Sequence, residues 1–259
     1  MPVSYRAQPQ YEWPNLPVYR HPTHEQAWLT TDPAPPGDNA TNILILLHGL
    51  GDSHASFTAL GQQLRLPETA CISLQGPQTL LDLGGHHWGD DILFDSTSGG
   101  LDPDAGFEQS TEFLRKIVLD SLVGKCGYQL REIVVFGFGQ GGMAALNAVV
   151  DLHQHGQQQP NELAGAISIG AGLPSSAPAS LNPKLSTPVL VCAGADASAV
   201  TSTSEEKLRH VFASVEIKRY RRAGDGMPRD RDEMMPIMQF FARRLRSSKG
   251  VPKGSVEIG

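Results

Sequence analysis

The chain has 259 residues and a formal net charge of −6, enough length for one large α/β domain with a substantial core. No basic stretch dominates, which argues against nucleic acid as a partner. The longest apolar run, Ile43 to Leu47, is far short of the ~20 residues of a membrane-spanning helix, so no membrane span is expected. The opening "MPVSYRAQPQ" lacks the basic and apolar regions of a signal peptide. Three cysteines without CxxC spacing (Cys71, Cys126, Cys192) read as reduced, mostly buried thiols, and the expected location is cytoplasmic.

Residues 1–40 are rich in proline and polar residues and read as an irregular arm, with a short edge strand near "QAWLT". From there to residue 248 the pattern is that of a single α/β domain, and residues 249–259 read as a flexible tail. "NILILLHG" is a continuous apolar run stopped by glycine, as a strand buried on both faces requires. "SFTALGQQL" has helical spacing, "TACISLQGP" is a second strand, and residues 78–106 are dense in glycine and aspartate and read as loops. A helix over 107–122 follows. "EIVVFG" is a strand, "QGGMAALNAVVDLHQ" a helix, and "LAGAISIGAGLP" and "TPVLVCAG" are strands. "TSEEKLRHVFA" is a helix capped by serine or threonine, "VEIKRYRR" the last strand, and "RDRDEMMPIMQFFARRLRS" the last helix, kinked or begun at Pro236. Strands alternating with helices imply a mostly parallel central sheet with helices on both faces.

The segment "VVFGFGQGGMAAL" holds the main question. A strand meets a glycine-dense corner and then a helix, as in a G-x-S-x-G nucleophile elbow, but the serine position of Gly137-Phe138-Gly139-Gln140-Gly141 is Gly139. Taken with "LHGLGDS", "GAISIGAGLP" and "TPVLVCAG", this corner resembles the acyl-protein thioesterase and carboxylesterase branch of the α/β hydrolases, over roughly residues 40–247. The resemblance implies an α/β-hydrolase fold and a Ser…Asp…His triad. It also implies an oxyanion hole made of two backbone N–H groups, which fall on Leu50 and Gln140. The histidine slot, in the turn after the last strand, holds Asp225. The acid slot falls in "AGADASAVT", where Asp196 is available but alignment on Val200 selects Ala197. The same resemblance assigns Trp88 and Asp90 to the mouth of a pocket bounded by Leu50, Gly139 and Asp225.

Other histidines offer no base: His210 falls on a helix before the last strand, and His48 reads as a structural hydrogen-bonder. Ser53, Ser56 and Ser168 have no elbow-like setting. His86-His87 lacks the spacing of a metal site, and neither metal nor cofactor is expected. Asp225 sits with Asp230 and Asp232 among arginines (Arg219, Arg221, Arg222, Arg229, Arg231), either on a mixed-charge surface or paired with one of them. The expectation is a catalytically degenerate relative, a pseudoenzyme that holds an acyl-like small molecule or a protein partner. The alternative is a working ester or thioester hydrolase with an atypical site, such as a water activated by Asp225 and Asp196.

Overall fold

The computed structural model describes residues 3–4, 29–32, 40–80, 84–95, 99–155, 162–247 and 256–257. Most of the predicted arm and tail lies outside these residues. Leu29–Asp32 (β1) is the edge strand expected near "QAWLT", and Val3–Ser4 pairs antiparallel with Val256–Glu257. The other strands of the main sheet are β2 (Asn42–Leu47), β3 (Thr69–Leu74), β4 (Ile133–Phe138), β5 (Gly165–Ile169), β6 (Val189–Ala193) and β7 (Val215–Arg219). Their order across the sheet is β7-β6-β5-β4-β2-β3-β1. Every neighbouring pair is parallel except β1 with β3.

Side chains alternate across β2, so its run of apolar residues feeds two cores. Ile43, Ile45 and Leu47 join Phe113, Leu114, Ala144, Ala145, Leu208 and Val211 on one face. Those partners come from α2 (Glu108–Arg115), α3 (Gln140–His155) and α4 (Ser202–Val211). Leu44 and Leu46 join Phe57, Ile237, Phe240 and Phe241 on the other face, from α1 (His54–Leu64) and α5 (Arg231–Arg244). The domain closes on itself through buried Asn42, whose Nδ2 donates to Arg246 O at 2.8 Å while its Oδ1 accepts from Arg246 N at 2.8 Å.

The structure departs from the sequence expectation at three places. The helix over 107–122 continues from α2 as a π-helical segment, Lys116–Lys125, closed by Cys126 N donating to Ser121 O at 2.8 Å. Its buried residues, Phe113, Ile117 and Ser121 beside Leu114, Val118 and Leu122, recur every four positions. That repeat drifts around an α-helix of 3.6 residues per turn, and the wider π turns hold it on the sheet. The glycine-rich stretch 78–106 is not wholly irregular: it contains two short antiparallel ladders, Gln78–Thr79 with His86–His87 and Leu93–Phe94 with Leu101–Asp102. Of the two readings at Pro236, a helix begun there is excluded, because Pro236 lies inside α5, which begins earlier on the Asp230 cap.

Because β2 and β4 to β7 run parallel, the loops that follow them gather at one end of the sheet. There the elbow, the "HGLGDS" loop, the loop after β6 and the loop after β7 meet, as ligand sites of open α/β sheets do.

Candidate functional site

Between β4 and α3 the chain turns through a single residue, Gly139, at φ +52°. Its N–H donates to Ile169 O at 2.8 Å and its carbonyl accepts from Gly142 N at 2.9 Å. A Cβ built on Gly139 would meet nothing within 4 Å. The corner therefore has the backbone of an elbow and space for a side chain, with no hydroxyl or thiol on it.

The loop after β2 lies against this corner. A Cβ on Gly141 would fall 2.2 Å from His48 O, so the first turn of α3 and the loop are in direct backbone contact. A strap from His86 to Trp88 fixes the loop. Gly51 N donates to His86 O and His86 N to Asp52 O, both at 2.9 Å. Trp88 Nε1 donates to His48 O at 2.9 Å. The Gln140 side chain accepts from Trp88 N at 2.8 Å and donates to Pro103 O at 3.0 Å, tying strap to elbow. Neither Leu50 N nor Gln140 N has an acceptor among the described residues.

His48 is fully buried beneath the loop. Its Nδ1 must carry the proton, because it faces the carbonyl of Gly49 at 2.7 Å, and its Nε2 accepts from Gly76 N at 2.9 Å. Burial pushes its pKa down to about 4, so it is a neutral strut with both ring nitrogens occupied.

Two residues assigned to a pocket mouth do something else. Trp88 is 0% exposed, so its ring lines no open surface; it is part of the strap. The Asp90 carboxylate accepts from Glu108 N at 2.7 Å and Gln109 N at 2.8 Å, capping the N-terminus of α2, where orphan N–H groups favour an anion.

Asp225 is also committed. Its Oδ1 accepts from Gly194 N at 2.9 Å and Ser198 Oγ at 2.8 Å, and its Oδ2 accepts from Ala199 N at 2.8 Å. The carboxylate thus points into the loop after β6. Of the two readings at Asp225, the arginine pairing is not seen among the described residues: Arg219 bonds Glu205, and Arg222 bonds Glu233 at 2.9 Å. Arg222 also donates to Gly224 O, Gly226 O and Met227 O and stacks on Tyr220, which knits the loop after β7 together. Asp196 is exposed, and Ala197 beside it adopts φ +48°.

The remaining hydroxyls and imidazoles are accounted for. Ser168 is fully buried and donates to Ala171 O at 2.7 Å. Ser53 caps α1, Ser56 donates to Asp52 at 2.7 Å, and His210 is exposed on α4. Ser198, Gly194 and Ala199, which hold the Asp225 carboxylate, carry no signal in the sequence. An open cavity of about 580 Å³ lies among Asp52, Ser53, His54, Gln75 and His86, and neither Gly139 nor Asp225 lines it. Among the described residues no three His, Cys, Asp or Glu side chains are placed to hold a metal, and no helix is long and apolar enough to cross a membrane.

Comparisons with known proteins bear on the family and the fold. Over 144 residues the chain is 39% identical to an uncharacterized hydrolase of Schizosaccharomyces pombe, covering 54% of this chain and 56% of that protein. Over 152 residues it is 30% identical to acyl-protein thioesterase 1 of Mycosarcoma maydis, covering 53% and 60%. The chain thus spans little more than half the length of these curated relatives. The crystal structure of Zea mays acyl-protein thioesterase 2 matches with a TM-score of 0.59 at 21% identity, over 84% of this chain and 99% of that one, a likeness of fold. Residues 33–245 match the phospholipase/carboxylesterase family, and with the α/β-hydrolase sheet and elbow in place, the chain belongs to it.

Proposed function

We propose that this chain is a non-hydrolytic member of its family, a pseudoenzyme that holds an acyl carbonyl or carboxylate at the elbow without cleaving it. The observation that carries this is Gly139, a glycine at φ +52° where the nucleophile belongs. Loss of the serine alone costs on the order of 10⁶ in kcat in a well-studied serine protease. What persists is the recognition half of the chemistry. The N–H groups of Leu50 and Gln140, without acceptors among the described residues, are suited to an acyl oxygen. A bound protein carrying such a group is the same proposal at larger scale; neither nucleic acid nor a membrane span enters it. A cytoplasmic site of action fits three cysteines that form no disulfide.

The rival, water activated by Asp225 and Asp196, has less in its favour. Both Asp225 oxygens already accept hydrogen bonds within the fold, and Asp196 is exposed. A general base needs an oxygen within reach of the proton it takes.

The test combines a fluorophosphonate probe, p-nitrophenyl ester turnover, and titration with octanoate followed by NMR. Labelling and turnover at the level of a denatured control, with saturable octanoate shifts at Leu50 and Gln140, are expected. Stoichiometric labelling or sustained turnover overturns the proposal, as does octanoate that leaves the elbow resonances unmoved.

A further inference from the structure

By chain order Asp225 stands in the histidine slot, yet its carboxylate lies in the adjacent loop, the one in which the family keeps its acid. We infer that Asp225 supplies, from the loop after β7, the carboxylate that the loop after β6 no longer carries at position 197. The substitutions at 197 and 225 are then two halves of one exchange, and no residue has taken the place of the imidazole.

Three observations meet here. First, the loop after β6 is folded around an anion: Gly194 N, Ala199 N and Ser198 Oγ all donate to the Asp225 carboxylate, and Ser198 Oγ accepts from Val200 N at 3.0 Å. Second, Ala197 sits in the left-handed region at φ +48°, which costs alanine but which aspartate and asparagine tolerate better. The backbone at 197 thus has a shape suited to the aspartate that the resemblance places there. Third, the two loops are in backbone contact, so a carboxylate can pass from one to the other. Gly224 N donates to Asp196 O and Ala195 N to Arg222 O, each at 2.8 Å, and a Cβ on Gly194 would fall 2.5 Å from Gly224 O. On the other flank a Cβ on Gly170 would lie 2.6 Å from Asp225 Cβ, which helps fix the direction of the side chain.

The exchange makes a specific claim about repair. Asp225→His removes the anion that three donors surround, so adding it to Gly139→Ser leaves the new imidazole without an orienting carboxylate. Ala197→Asp is required as well.

The experiment is a stability cycle on the full chain, read by thermal unfolding. Asp225→His alone is expected to lower Tm by about 4–8 °C, the scale for orphaned donors in a domain of this size. Ala197→Asp alone is expected to lower it through repulsion between neighbouring carboxylates. The pair together should recover to within about 2 °C of the parent. Asp225→Asn, which keeps the shape and one acceptor, should show the same rescue by Ala197→Asp if Asp225→His folds poorly. Additive losses with either partner overturn the inference. In the Gly139→Ser background, adding Ala197→Asp to Asp225→His should raise ester kcat by about 10⁴-fold, the scale of losing a triad acid. If the stability rescue occurs and the triple variant is inert, the serine-hydrolase mapping behind the proposed function fails while the exchange stands.

Discussion

The elbow glycines provide the sharpest test of how the corner is built, because three of them within five residues face different surroundings. At Gly141 an added Cβ would lie 2.2 Å from His48 O and 2.6 Å from Leu47 O. Ordinary contact is about 3.5 Å, so relief requires moving α3 or β2 by more than ~1 Å. Both obstacles are main-chain atoms of a buried strand end, and neither can rotate away. Gly141→Ala should therefore cost at least ~3 kcal/mol, the upper range for overpacking a rigid core. Gly139 is the internal control. Its Cβ would meet nothing within 4 Å, and the penalty of Gly139→Ala is confined to φ +52°, about 1–2 kcal/mol before a gain of ~0.5 from a stiffer unfolded chain. Urea unfolding followed by far-ultraviolet circular dichroism should separate the two midpoints clearly, with Gly141→Ala lower. Equal midpoints would refute the claim that backbone contact between α3 and the Leu50 loop sets the elbow.

Three further outcomes follow from the site. Gln140→Leu leaves the buried Trp88 N unpaired and removes a part-buried bond to Pro103 O, and it should cost about 1–3 kcal/mol, with a lower thermal midpoint and altered tryptophan emission. His48 has a pKa depressed to about 4 against ~6.5 unfolded, so the unfolded chain binds the extra proton between those values. Unfolding free energy should fall by up to ~3 kcal/mol as pH drops from 6.5 to 4, and urea titrations of His48→Gln should show a flatter slope in that window. Arg222→Lys keeps the charge but cannot span Glu233, Gly224 O, Gly226 O and Met227 O at once. It should destabilise by about 2–4 kcal/mol in chemical denaturation, whereas a tolerance within 0.5 kcal/mol would show the loop is held otherwise.

The fold was legible because its signals are local. The short length of the Ile43 to Leu47 run and the glycine that stops it select a strand buried on two faces over a buried helix, and the strand-glycine-helix rhythm around Gly139 has few other meanings. The π-helical continuation of α2 escaped because a four-residue repeat looks helical whichever turn width accommodates it. The site was legible only as far as chain order reaches. Trp88 and Asp90 are residue types that suit a pocket, but their roles depend on which backbone groups lie opposite them: His48 O for one, Glu108 N and Gln109 N for the other. The sequence has no term for those partners, since they come from segments up to 40 positions away.

On the reading proposed above, positions 139 and 225 stand for the nucleophile and the base, and the fold holds the two with different firmness. Gly139 relaxes a strained corner without filling it: the space above it is open, and an added Cβ would meet nothing within 4 Å. A serine there meets only backbone strain of roughly 1–3 kcal/mol, a cost hydrolases bear for reactivity. Asp225 is the reverse case. Its carboxylate organises the loop after β6 through three donors, and its β-carbon sits against Gly170. Replacing it disturbs a second loop as well as its own. The nucleophile is therefore one substitution away, whereas the base is not. On that same reading, a chain that only holds an acyl group loses nothing by tying position 225 into its architecture.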